Sequence, residues 1–189
     1  MAYPNPSSFV PLVIGSSDGP TLTAAAAASC IPVASRLILP NNYWTVGKQW
    51  KIKLQGRISC VVTTPGTARF DLRTGPSGTI VAFDSGALNL NIVAKTTVPF
   101  DLDIDLTCRA VGNGAQTTLF GIGKFSSEAV VGSPLPSVGG NGTLLCPVGV
   151  PGVGTGFDNT AANAVDMFFT QTLATGSLTV HNYEIWESI

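Results

Sequence analysis

The stretch Val98–Arg109, VPFDLDIDLTCR, decides the fold. Val98, Phe100, Leu102, Ile104, Leu106 and Cys108 alternate with Asp101, Asp103, Asp105, Thr107 and Arg109, so the apolar residues recur with a period of two. A helix would scatter them around its circumference, whereas a strand gathers them on one face. Gly112-Asn113-Gly114 closes the run with turn chemistry, and Gln116–Phe125 reads as the returning strand.

The same alternation extends on both sides. Trp50, Ile52, Leu54, Ile58 and Cys60 alternate with Lys51, Lys53, Gln55, Arg57 and Ser59, with Gly56 a candidate bulge. Ala68, Phe70 and Leu72 lead through Thr74-Gly75-Pro76-Ser77-Gly78 to a second strand at Thr79–Phe83, a hairpin. Residues 164–170 place Val165, Met167 and Phe169 on one face, and residues 177–186 form a last strand whose apolar phase changes near Asn182, predicting a bulge there. Seven to nine strands without a helical stripe predict an all-β protein, an antiparallel two-sheet β-sandwich of jelly-roll type; an immunoglobulin-like sandwich or a barrel is the alternative.

Two segments fall outside this pattern. Residues 1–35 hold one charged residue, Asp18, and five prolines, and read as an extended N-terminal arm preceding a sandwich domain at 36–189. Within the arm, Phe9, Val10, Leu12, Val13 and Ile14 need burial, and a neighbouring subunit is the expected cover. The alanines at 24–28 suffice for barely one helical turn. Residues 132–160 hold eight glycines and four prolines and read as a long crossing loop with a short strand at 143–146.

Composition narrows the function. Hydrophobic residues make up 44% of the 189, charged residues only 11%, and the net charge is −1. A surface so poor in charge is weakly protected against association, so much of it is expected to face other protein. Ten basic against eleven acidic residues leave no electrostatic footprint for nucleic acid or an anionic membrane. The apolar stretch at 24–34 is broken by Ser29, Cys30 and Pro32 and falls short of the ~20 residues that span a bilayer. The first basic residue is Arg36, too late for a secretory signal, so synthesis in a cytoplasm is expected. Cys30, Cys60, Cys108 and Cys146 form no C-x-x-C pair and read as buried, reduced thiols. The sequon Asn141-Gly142-Thr143 carries no weight without export.

No constellation specifies catalysis, a metal or a cofactor. Asp101, Asp103 and Asp105 resemble the opening of a calcium loop, but Leu106 and Gly112 stand where its Gly and bidentate Glu belong. On a strand the three carboxylates share a face, so a charge ladder with Lys51, Lys53 and Arg57, with Arg69 and Arg73 also available, is expected across strands or subunits. His181, the only histidine, could serve a small hydrolase only with a nucleophile that no motif identifies. The glycine-rich 139–156 lacks the G-K-[ST] ending of a phosphate cradle. Tyr43 and Trp44 read as interface or core anchors, or, with Trp186, as a sugar-stacking platform if exposed.

The segments KIKLQGRISCVVTTPGTARFDLRTGPSG (51–78), VPFDLDIDLTCRAVGNGAQTTLFGIGKF (98–125) and FDNTAANAVDMFFTQTLATGSLTVHNYEIWESI (157–189) resemble small structural proteins of tailed bacteriophages. The resemblance implies a capsid decoration or cement protein on the virion surface, bound to the major capsid protein and to itself as a homo-dimer or homo-trimer. A tail or head-spike protein whose jelly roll binds a glycan receptor is the alternative it leaves open.

Overall fold

The computed structural model describes residues 8–61, 65–131 and 142–188. The described chain contains β1 (Phe9–Ile14), β2 (Ala28–Ser29), β3 (Leu37–Leu39), β4 (Gln49–Cys60), β5 (Thr67–Thr74), β6 (Ile80–Asp84), β7 (Leu88–Asn89), β8 (Lys95–Ala110), β9 (Thr118–Ser127), β10 (Thr143–Cys146), β11 (Asn163–Gln171) and β12 (Ser177–Ser188). A 3₁₀ turn at Val33–Ser35 is the helical element among these residues.

The strands form the expected antiparallel sandwich. One sheet, A, runs β1-β12-β4-β8-β9-β10, and the other, B, runs β2-β11-β5-β6, with β3 on β11 and β7 on β5. β4 passes from sheet A to β5 in sheet B, and β11 returns from B to β12 in A, so these two pairs lie side by side as a folded ribbon, the jelly-roll feature. β5–β6 and β8–β9 stay within their sheets as hairpins.

The core follows from parity. Even-numbered residues of β4 and β8 point inward, and Ile52 pairs with Ile104, Leu54 with Leu102 and Gly56 with Phe100. Between the sheets, Phe70 of β5 packs against Phe169 of β11 at 5.2 Å, Phe125 of β9 at 5.4 Å and Phe100 of β8 at 5.9 Å, so one ring joins both layers. Each such buried side chain contributes about 1.5–3 kcal/mol relative to exposure. Trp44, Trp50 and Phe157 close one end of the sandwich, with the two indoles 4.5 Å apart.

Gly56 is not a bulge. Its neighbours keep the same parity on both sides and the register with β8 is unbroken there; against β12 the register shifts beside it, but the extra residue lies on β12, opposite the Gln55–Gly56 step. The absent side chain lets three strands close up: a Cβ would strike the carbonyl of Thr179 and lie 2.9 Å from the Phe100 ring. The bulge expected near Asn182 is present, as a register shift between Val180 and Asn182 that turns His181 outward.

Residues 8–31 are extended, but in the described chain their contacts are with the sandwich itself and no neighbouring subunit is needed to explain them. β1 pairs along β12, the Gly15 amide donates to Tyr183 O at 2.6 Å, and the Gly19 amide donates to Val180 O at 2.8 Å. Leu22 bridges Leu178, and the Cys30 amide donates to Met167 O of sheet B at 2.8 Å. The segment therefore stitches the open side of the sandwich from one sheet to the other. Leu12 and Val13 pack on the core; Phe9 and Val10 are half-buried, and Ile14 remains exposed. Residues 24–26 make bends, not a helical turn.

The second irregular segment closes the opposite side. Its residues 132–141, including Asn141 of the sequon, lie outside the described residues; β10 occupies 143–146 as expected. Beyond it, the Gly154 amide donates to Leu119 O and the Thr155 amide to Val81 O, both at 2.9 Å, linking β9 of sheet A to β6 of sheet B. A Cβ at Gly154 would strike the Ala82 carbonyl, so glycine here is a packing requirement.

Gly56→Val is expected to destabilise the fold by about 3 kcal/mol, at the upper end of overpacking costs. Urea denaturation followed by tryptophan fluorescence measures this as a fall in midpoint at constant slope; an unchanged midpoint would show that β4 can separate from its neighbours freely.

Candidate interaction surface

The outward face of sheet A carries the polar residues that its alternation excludes from the core. Register aligns Glu184, Lys53, Asp103 and Lys124 in one row across β12, β4, β8 and β9, with charge alternating in sign. The next row reads Asn182, Gln55, Asp101 and Ser126, and the row on the other side Trp186, Lys51, Asp105 and Ile122. Lys53 Nζ stands 3.7 Å from Asp101 and 3.9 Å from Asp103, so a single ammonium serves two carboxylates. Desolvation, together with the nearby Asp101, raises the Asp103 carboxyl above its usual range despite Lys53 and Lys124. Glu184 goes the other way, lowered by hydrogen bonds from Asn182 and the Trp186 indole.

The expected ladder is thus centred on Lys53. Lys51 is in register with Asp105, but its ammonium lies over the Phe9 ring, 4.8 Å from the centroid. Arg57 does not belong to the ladder: it sits opposite Pro99 and Thr179 and donates to Thr97 O at 3.4 Å.

Arg69 and Arg73 lie on the outer face of sheet B and are engaged there. Arg69 pairs with Asp84 and, at 3.3 Å, with Asp71; Arg73 reaches Asp71 at 3.2 Å and stacks over Phe168 at 3.9 Å. Asp166, in register with Arg73, accepts from Ser29 at 2.6 Å and pairs with Arg36 at 3.0 Å. Burial raises its carboxyl, and Ser29 and Arg36 oppose the rise.

The anticipated aromatic site is part of the fold. Trp44 is buried against Trp50, while Asn159 holds its backbone from both sides. The half-buried Tyr43 hydroxyl donates to Glu187 and accepts from the Trp50 indole at 2.9 Å, with Lys48 over its ring. Burial, reinforced by Glu187, pushes the phenol well above its ordinary range. Trp186 remains partly exposed beside Phe9, Lys51, Lys53 and Glu184 in a shallow concavity of about 540 Å³. His181 Nδ1 faces Asp18 at 3.0 Å on the surface. The four cysteines are free and buried, and burial raises the Cys146 thiol to about 11. Among the described residues no group of three or more His, Cys, Asp and Glu side chains could hold a metal ion, and no helix is long and apolar enough to cross a membrane.

The feature that sequence reasoning missed is at the other side of sheet A. Ile122 of β9, Leu145 of β10 and Val148 and Val150 beyond it are exposed, Leu145 to 75% and Val150 to 95%. With Asp103 and Asp105 behind them, Ile122, Leu145 and Val148 line a groove of about 850 Å³. One signal was available: no acidic or basic side chain occurs between Glu128 and Asp158.

No protein family model and no curated protein matches the chain. A solved structure of the CBM2 module of the Lactobacillus casei BL23 phage J-1 evolved Dit is similar with 10% identity and a TM-score of 0.31, covering 81% of this chain and 68% of that one.

Asp103 and Asp166 are both raised in the folded state, so the native protein binds protons there more readily than the unfolded chain. Their destabilising contribution is present at neutral pH and fades as pH falls through the folded values toward the unfolded one. The lowered Glu184 acts in the opposite sense below its ordinary range. Asp103→Asn is therefore expected to raise Tm at pH 7 and to lose that advantage near pH 4, measured by thermal melts across the pH range.

Proposed function

We propose that this protein is a structural component of a tailed-phage virion, of the decoration or cement kind, that associates with itself and with the major capsid protein on the shell surface. The observation that carries the reading is the exposed apolar strip Ile122–Leu145–Val148–Val150 on a molecule whose charged side chains are largely spent on one another. In solution alone such a strip is a liability; against a neighbour it is a contact. The phage-like style of the three long segments and the sparse charge support the same role. Repeated modest contacts over a lattice would bind a shell tightly through effective concentration.

The polar groups of sheet A act in structural pairs in this reading, and no catalytic role is assigned to them or to His181. The alternative, a tail or head-spike protein that binds a glycan receptor, draws on one observation: Trp186 lies partly exposed beside Glu184 and Asp103 in the sheet A concavity. Tyr43 and Trp44 do not contribute to it, because one hydroxyl is engaged and the other ring is buried.

The test is occupancy on particles. Wild-type protein is expected at many copies in fixed lattice positions of purified virions, and Val150→Asp is expected to lower occupancy at least tenfold with unchanged melting, a desolvated charge costing several kcal/mol at such a contact. A few copies at a single vertex, with binding lost in Trp186→Ala and kept in Val150→Asp, would replace the cement reading with the receptor one.

A further inference from the structure

From the free edge of β10 we infer that this protein self-associates by sheet extension: the β10 strands of two copies pair antiparallel about a twofold axis and join two A sheets into one. The inference rests on the reading of the protein as an assembled component and names the contact by which it assembles.

The backbone pattern identifies which groups are available. The Ser127 amide donates to Gly142 O at 2.7 Å, and Leu144 and Cys146 lie opposite Phe125 and Gly123. Antiparallel ladders alternate, so residues 142, 144 and 146 turn their amides and carbonyls toward β9, while Thr143 and Leu145 turn theirs away. Among the described residues no strand pairs with that outer edge.

The edges at β1 and β6 are protected. β1 carries Pro11 and a register shift beside it, two devices that prevent further pairing. β6 has its outer side engaged by the Thr155 amide at Val81 O. β10 has no proline, no charge and no bulge, and its outward Leu145 is three-quarters exposed.

Charge selects the occupant. Residues 129–157 contain no acidic or basic side chain, so the edge itself offers an incoming charged strand no counter-ion, the nearest charge being Lys124 on β9. The same edge of a second copy brings no charge, and it is self-complementary. Opposing Thr143 to Leu145 of the second copy, and Leu145 to its Thr143, gives two doubly hydrogen-bonded pairs with Leu144 at the axis. Both Leu144 side chains then remain on the core side. Leu145, Val148 and Val150 flank the joint on each copy and supply its apolar surface.

The test uses the full chain at about 100 μM, a concentration that reveals micromolar association. Sedimentation equilibrium is expected to give twice the 19.5 kDa chain mass, with the Thr143 and Leu145 amides slow to exchange hydrogen. Leu145→Pro removes an amide that makes no bond to β9 and follows a residue already extended; it is expected to give the single-chain mass with an unchanged circular dichroism spectrum. Should that variant misfold, Leu145→Lys, which keeps the backbone, is expected to weaken association at least tenfold. A single-chain mass for the wild type, a trimer, association untouched by either variant, or protected Thr143 and Leu145 amides in the single chain would each overturn the inference. Particle binding by a chain that never pairs overturns edge pairing alone; pairing without particle binding overturns the virion reading alone.

Discussion

The register between β4 and β8 is the constraint on which the rest depends. Because side chains alternate with a period of two, the pairing that sets Ile52 on Ile104 also sets Lys53 on Asp103. A slip of one residue would turn six apolar side chains of β8 to solvent and three carboxylates into the core. Core and surface are thus specified by one choice. The exposed ion pairs add little to stability individually, but each penalises the wrong register.

Around that pair, the two irregular segments close the sandwich from opposite sides. The N-terminal residues bind β12 and β11, and residues 153–157 tie β9 to β6 before burying Phe157 beneath Trp44. Both use backbone hydrogen bonds more than side-chain volume, which is why both are rich in glycine and small residues. The sheets are held by the Phe70 ring cluster at the middle and by these laces at the margins. β10, attached to β9 alone among the described strands, is the least committed of them to the chain's own fold.

What the sequence revealed follows the same division. β4, β8 and β12 are half-buried antiparallel strands, so their alternation is explicit, including the phase change that places the bulge before Asn182. FVPLVI at 9–14 has no such alternation, because Pro11 shifts the register and brings both Leu12 and Val13 toward the core. Its composition announces a need for burial without naming the partner, and the partner is β12 of the same chain. The ion pairs of Arg69 and Arg73 were hidden for another reason: outward residues are legible one strand at a time, whereas their partners depend on which sheet each strand joins. Trp44 reads as a core or interface anchor in preference to an exposed platform, but which of the two depends on the loop carrying Asn159 and Phe157 that encloses it.

In the proposed assembly, the absence of acidic and basic side chains from 129–157 would separate how this molecule tolerates its surroundings from how it holds its neighbours. Ionic strength screens the rows on the outer sheets and leaves the uncharged margin untouched. Sulfate and other excluded salts strengthen apolar burial, so contacts there tighten in brines that would loosen an assembly built on opposite charges.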